Sequence, residues 1–120
     1  MEHEERNGQI RLKILAEISD IEAFSEGRAA AELMADRMWQ KAVVMSLINI
    51  GELSKSFTDD YLTAMPQIPW KAIRGFRNIA AHQYGILDFN DVYKTVTEDI
   101  PSLKAALQEQ GEKTKGRTLE

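Results

Sequence analysis

Hydrophobic residues recur at helical spacing along most of the chain, and no stretch alternates clearly in the manner of a β-strand. The first amphipathic stripe predicts a helix over residues 9–24. It consists of Ile10, Ile14, Ile18 and Ile21. A second helical region spans residues 28–57 and is apolar nearly all round between Met38 and Leu53. Such a helix is covered on more than one side, which indicates the protein's own core on one side and a second subunit on the other.

The segment from Ile68 to Gly85 predicts a short helix, residues 70–83, with two unlike faces. Pro69 is placed to begin the helix at its first position, and Gly85 to end it in a left-handed conformation. One face is apolar and consists of Ile73, Phe76, Ile79, Ala80 and Gln83. The other is basic and hydrogen-bonding and consists of Lys71, Arg74, Asn78 and His82, with Arg77 and Tyr84 at its border.

The remaining segments predict further helices and polar ends. Residues 58–69 form a connector with one short helical turn, because Pro66 and Pro69 disfavour the α conformation before them. Asp88 or Asn90 caps a last helix, which Pro101 should kink or divide at Asp99-Ile100. Residues 1–8 are expected to be frayed and residues 111–120 to form a flexible C-terminal tail. The pattern predicts an all-α, up-and-down bundle of four to five helices in a single domain, residues 1–110.

Composition narrows the class of protein. The chain of 120 residues carries a formal net charge of −4, which argues against a nucleic-acid binder with a broad basic surface. Any nucleic-acid function must therefore rest on a focused site. The acidic N-terminus is no signal peptide, no apolar run approaches a membrane span, and cysteine is absent, so we expect a cytoplasmic protein that does not bind a membrane.

Each candidate residue has an ordinary structural interpretation beside a chemical one. A single histidine near a helix end, as at His82, is often a cap, and with no clustered ligands a zinc site is improbable. Arg74 and Arg77 are compatible with plain surface positions. Glu52 either faces solvent, pairs with a basic residue, or orients an arginine of the 68–85 segment. Tyr84 either packs at the helix end or has a chemical role.

The combination of these residues is more specific than its members. Arg77-Asn78-Ile79-Ala80-Ala81-His82-Gln83-Tyr84 contains the pattern Arg-x4-His-x-Tyr, and it follows Ile68-Pro69-Trp70. Asp36-Arg37 and Ile48-x-Ile50-Gly51-Glu52 add to the likeness. With these elements the chain, over residues 9–108, resembles the HEPN superfamily and within it the HepT-like toxins.

The resemblance implies a fold, an activity and partners. HepT-like proteins are HEPN-like helical homodimers whose motif helices meet across a cleft, and they are metal-independent ribonucleases that require no cofactor. They are encoded with an MNT-type nucleotidyltransferase antitoxin, which transfers AMP to the motif tyrosine, here Tyr84. Arg77 and His82 become the catalytic candidates on an RNA substrate. The supporting or phosphate-binding candidates are Asn78, Arg74, Lys71 and Glu52.

Residue chemistry agrees with that implication, but the spacing raises a difficulty. His82 is able to take the ribose 2′-OH proton at neutral pH, and Arg77 offers a permanently charged fork for phosphate oxygens. Asn78 is one turn away and suited to orient His82 or the phosphate. Arg77 and His82, at i and i+5, point roughly 140° apart on an ideal helix. Either the helix unwinds at His82, or two protomers hold the phosphate between them, and we favour the second. The alternative function is a non-catalytic dimeric adaptor that binds a nucleotidyltransferase or a nucleotide.

Overall fold

The computed structural model describes the backbone of residues 2–119 and the side chains of residues 2–113. The described chain is helical and contains no strand, so the predicted all-α class is confirmed. The α-helices are α1 (Glu2–Ser25), α2 (Ala30–Ala35), α3 (Arg37–Ser54), α4 (Asp59–Thr63), α5 (Trp70–Gln83), α6 (Phe89–Lys94) and α7 (Ile100–Leu119). A π-helical turn, Thr95–Asp99, joins α6 to α7 in one continuous rod, and a 3₁₀ turn, Tyr84–Ile86, follows α5.

The central helix of the bundle is α3, which packs against α1 on one side and α5 on the other. α7 covers α1 from a further side. The predicted stripe of α1 is fully buried in this core, opposite the inner face of α3. The largest side chain buried there is Trp39, whose indole N–H donates to Ser25 Oγ at 3.0 Å. Within the described part of the chain, no helix is both long and apolar enough to cross a membrane.

The first helix begins earlier than the hydrophobic pattern predicts. Residues 2–8, which we expected to be frayed, form the first turns of α1. Asn7 explains the difference, because this buried side chain donates to Thr58 Oγ1 at 3.0 Å and accepts from the Thr58 N–H at 3.2 Å. A buried polar residue whose side chain is hydrogen-bonded in this way is not detected when a helix is predicted from the spacing of apolar residues.

The second predicted helix is divided at Asp36. The carboxylate of Asp36 accepts hydrogen bonds from the N–H groups of Met38 and Trp39, so Asp36 caps α3. The backbone of Asp36 itself is extended. Arg28 Nη2 lies 2.6 Å from Asp36 Oδ2 and secures the break. The helical region predicted over residues 28–57 therefore consists of two helices, because an aspartate with two backbone donors in reach competes with helix continuation.

The ends of α5 match the predicted bounds, although the capping residues act differently. Pro69 is the N-cap rather than the first helical residue. Gly85 does not adopt the left-handed conformation that we expected, since it lies in the 3₁₀ turn, and Gly27 is the glycine with positive φ. The short helix predicted in the connector is α4, and the predicted cap of the last helix is Asp88, which accepts from the Asn90 N–H.

Pro101 interrupts the α-helix at the predicted place within the C-terminal rod. The π-helical turn ends at Asp99 and α7 begins at Ile100, and this turn directly before Pro101 accommodates its missing N–H, so the rod continues. The backbone is helical through Leu119. The domain boundary at residue 110 and the flexibility of the tail stay predictions.

Candidate active site on the fifth helix

The position of α5 depends on one close approach to α3. A Cβ atom built on Gly51 would clash with the carbonyl oxygen of Ile73. Only a residue without a side chain therefore allows the two backbones this contact, which fixes the depth at which α5 lies on α3. Ala80 and Trp70 are buried at this interface and the adjoining core.

The polar face of α5 lies largely in solvent. Lys71, Asn78 and His82 are exposed, and Arg74 is half-buried with its Nε donating to the Trp70 carbonyl at 3.4 Å. The predicted stripe therefore exists as a continuous polar surface along the helix. These residues are brought together as predicted, and their chemical roles stay predictions.

The predicted apolar face is only partly covered. Ala80 is buried and Ile73 and Phe76 are half-buried, but Ile79 is 49% exposed and Gln83 is exposed. Ile73, Phe76 and Ile79 line a largely apolar cavity of about 200 Å³ between α5, α3 and the start of α7. The predicted apolar face therefore contacts the core only in part, because α5 rests on α3 and leaves a gap towards the last helix.

Arg77 and Glu52 connect α5 to α3 across the site. Arg77 Nε lies 3.9 Å from Glu52 Oε1, and Lys55 Nζ lies 3.0 Å from the same oxygen. Both interpretations of Glu52 therefore hold geometrically, since it pairs with a neighbouring lysine and also contacts an arginine of the 68–85 segment. The side chain of Arg77 is 60% exposed, which leaves most of its guanidinium open to solvent.

Sequence reasoning missed Lys55. A lysine three residues after a glutamate on one helix is a common ion pair, and that spacing was the available signal. Because Lys55 pairs with the same oxygen, the carboxylate of Glu52 is not available to Arg77 alone. The carboxylate is shared between two cations, so the ion pair with Arg77 is loose and the guanidinium is able to bind another anion.

His82 and Tyr84 lie at the end of the site opposite the ion pair of Arg77 and Glu52, namely at the C-terminal end of α5 and in the turn that follows it. His82 is still within α5, and the backbone changes only after it, where Gln83 adopts φ −131° and ψ 21°. Tyr84 is 37% exposed in the 3₁₀ turn, with its ring edge-on to Phe89 at a centroid distance of 6.2 Å. The unwinding at His82 that would let it converge with Arg77 in one chain is thus not observed.

Metal ligation is not a feature of the described residues. Among them, no group of three or more His, Cys, Asp and Glu side chains is placed so that it could hold a metal ion. The chemistry available from these side chains is that of an imidazole, a guanidinium, a carboxamide and a phenol on one exposed helix end.

The fold and the site together define a class of helical-bundle protein. At one helix end, a protein of this class presents side chains that are suited to bind an anionic ligand and to transfer a proton. The chain belongs to the ribonuclease HepT-like family, whose model matches residues 14–110. It is 33% identical over 95 residues to a protein of Methanocaldococcus jannaschii named as a predicted RNase, covering 79% of this chain and 87% of that one. It is 36% identical over 88 residues to a protein of Thermococcus cleftensis named a probable ribonuclease HepT, covering 73% and 80%. No solved structure matches the chain significantly.

Proposed function

We propose that this protein is a metal-independent endoribonuclease that cleaves RNA with Arg77 and His82. The observation that carries the proposal is the exposed polar stripe of α5, which presents both side chains in a chain of the ribonuclease HepT-like family. The acidic net charge limits RNA contact to a focused surface, and this stripe is such a surface.

The proposed reaction uses groups that are already exposed. The His82 imidazole takes the proton of the ribose 2′-OH, and the 2′ oxygen then attacks the adjacent phosphorus to form a 2′,3′-cyclic phosphate. The displaced 5′ oxygen of the next nucleotide leaves with a proton from solvent. The guanidinium of Arg77 stabilises the added negative charge on the phosphate oxygens. Glu52 limits the movement of that guanidinium, and Asn78, Arg74 and Lys71 supply hydrogen bonds and positive charge along the same face.

Two copies of the chain complete each site in this proposal. Because α5 stays helical through His82, Arg77 and His82 of one chain diverge by roughly 140°, and a phosphate is better held between the arginine of one protomer and the histidine of its partner. Exposed apolar side chains support an interface, since Met38 and Met45 on the outer face of α3 are 81% and 57% exposed.

Regulation in this proposal takes place at Tyr84. An MNT-type nucleotidyltransferase, encoded as the antitoxin of a toxin–antitoxin pair, attaches AMP to the phenolic oxygen. The exposed hydroxyl-bearing ring in the turn directly after His82 is compatible with such a partner. The bulky anion would then occupy the surface beside Arg77 and His82 and repel the RNA phosphate.

The catalytic proposal is tested with purified protein and RNA in the presence of a metal chelator. His82→Ala should lower the cleavage rate by about 10²–10⁴-fold, as expected for loss of a general base. His3→Ala, at the exposed start of α1, is the matched control and should cleave as the unmodified protein does. If the unmodified protein cleaves no RNA but still binds a nucleotidyltransferase or a nucleotide, the alternative of a non-catalytic adaptor takes its place.

The shared site is tested by mixing two inactive variants, Arg77→Ala and His82→Ala. A mixed dimer contains one site with both residues intact only if each site draws on both chains, so cleavage should reappear on mixing. Mixing protein that has been cross-linked beforehand should give no recovery. Absence of recovery with freely exchanging subunits, or a monomeric mass by light scattering, would contradict the shared site.

A further inference from the structure

A second concave surface adjoins the candidate site on the side of α1. A groove of about 440 Å³ runs between α1 and α3, within the range of about 300–1,000 Å³ that is typical of ligand pockets. Its lining residues are Lys13, Ala16, Glu17, Asn49, Glu52 and Leu53. Glu52 belongs both to this groove and to the ion pair with Arg77, so a ligand in the groove lies next to a phosphate bound at Arg77.

The polar side chains of this groove are available to a ligand. Among the described residues, none hydrogen-bonds or ion-pairs with the side chains of Lys13, Glu17 or Asn49. Glu17 and Asn49 are half-buried and Lys13 is exposed. The groove thus combines a carboxylate acceptor, an ammonium donor and a carboxamide that is both, above the apolar surface of Ala16 and Leu53.

The unpaired polar groups in the groove match the edge of a nucleobase. Glu52 is already paired with Lys55 and Arg77, so the groups left to a ligand are the carboxylate of Glu17, the ammonium of Lys13 and the carboxamide of Asn49. The Watson–Crick edge of guanine presents the complement of this set, namely the O6 acceptor beside the N1–H and N2–H donors. Adenine lacks both the O6 acceptor and the paired donors. Unpaired bases in RNA are recognised by such hydrogen bonds on their edges.

We propose that this groove binds a guanine base next to the scissile phosphate and so determines the cleavage specificity of the enzyme. Glu17 accepts from N1–H and N2–H, Lys13 donates to O6, and the aliphatic side chain of Leu53 packs against the ring. Asn49 supplies a further hydrogen bond at the border with Glu52. The inference rests on the proposed ribonuclease activity, and it adds specificity-determining residues on a helix that carries none of the catalytic candidates.

The test uses short single-stranded RNA oligonucleotides that contain one guanosine among adenosines and uridines. In the matched oligonucleotides, inosine or adenosine replaces that guanosine. The unmodified protein should cleave the guanosine substrate with a kcat/KM about tenfold above that of the adenosine substrate, with inosine between them. Glu17→Gln should remove this preference by lowering the kcat/KM of the guanosine substrate to that of the adenosine substrate. Asp20→Asn, also on α1 but outside the groove, is the matched control and should keep the preference.

A binding measurement separates specificity from folding. In the His82→Ala background the guanosine oligonucleotide should bind more tightly than the adenosine one, and Lys13→Met should reduce that difference. Circular dichroism establishes that each variant is folded. If the unmodified protein cleaves no oligonucleotide, the proposed function fails; if it cleaves them all without a guanine preference, or if folded Glu17→Gln keeps the preference, the groove does not read guanine.

Discussion

Gly51 in α3 lies directly against the backbone carbonyl of Ile73 in α5, with no room for a side chain between them. This contact fixes the spacing of the two helices that supply Glu52, the residue after Gly51, and Arg77, one turn after Ile73. The candidate site therefore depends on a glycine that contributes no functional group.

Gly51→Ala should destabilise the protein by about 1–3 kcal/mol, because the added methyl group must push α5 away from α3. Gly75→Ala on α5 is the matched control: nothing lies within 4 Å of a Cβ built there, and alanine is the better helix former. That control should stabilise the protein by about 0.5–1 kcal/mol. Urea unfolding measures both changes, and equal effects of the two substitutions would contradict the contact.

Glu52→Gln should separate positioning from stability. The ion pairs that Glu52 makes with Lys55 and Arg77 are partly exposed, so the free energy of unfolding should change by less than about 1 kcal/mol. RNA cleavage should fall about tenfold, because the guanidinium of Arg77 loses its charged partner. Glu22→Gln, which breaks the exposed pair with Lys104 at 2.8 Å, should leave cleavage unchanged. Cleavage by Glu52→Gln at the unmodified rate would exclude a positioning role.

Asp36 should contribute to the acid sensitivity of folding. The hydrogen bond from Arg28 and the N–H of Trp39 lower the pKa of this carboxyl below its ordinary value of 3.8. A lowered pKa in the folded state contributes stability that is present above the ordinary value and is lost as the pH falls through the lower, folded value.

The Asp36→Asn variant keeps a capping oxygen but does not titrate. Its urea midpoint should therefore fall less steeply than that of the unmodified protein as the pH drops from about 5 to about 2. Glu22→Gln, with the same change in net charge, separates the effect of overall charge from that of the Arg28–Asp36 contact. Parallel midpoint curves for the unmodified protein and Asp36→Asn would show that this pair does not contribute.

Tyr84→Phe should prevent modification without loss of cleavage. The phenylalanine ring keeps the edge-on contact with Phe89, while the oxygen that would receive AMP is absent. Co-expression with an MNT-type nucleotidyltransferase, the proposed antitoxin, followed by mass spectrometry, should show AMP on the unmodified protein and on Tyr93→Phe, but not on Tyr84→Phe. AMP attached to the Tyr84→Phe variant would place the acceptor elsewhere.

Much of the fold follows from local patterns. The isoleucine stripe of α1 and the bounds of α5 were predicted correctly, because helical periodicity and proline depend on residues close in sequence. The errors concern polar residues with distant or competing partners. Asn7 extends α1 through Thr58, and Asp36 ends one helix to begin another. Neither effect is visible in the spacing of apolar residues.

The sequence by itself determined the helical class and the polar stripe that presents Asn78 and His82 on α5, since both depend on a repeat of 3.6 residues. Only the tertiary structure decided that Glu52 lies beside Arg77. It also decided that Lys13 and Glu17 of α1 border the same region. These residues lie on different helices: the contact between Gly51 and Ile73 sets how closely α5 brings Arg77 to α3, and the packing of α1 on α3 brings Lys13 and Glu17 there.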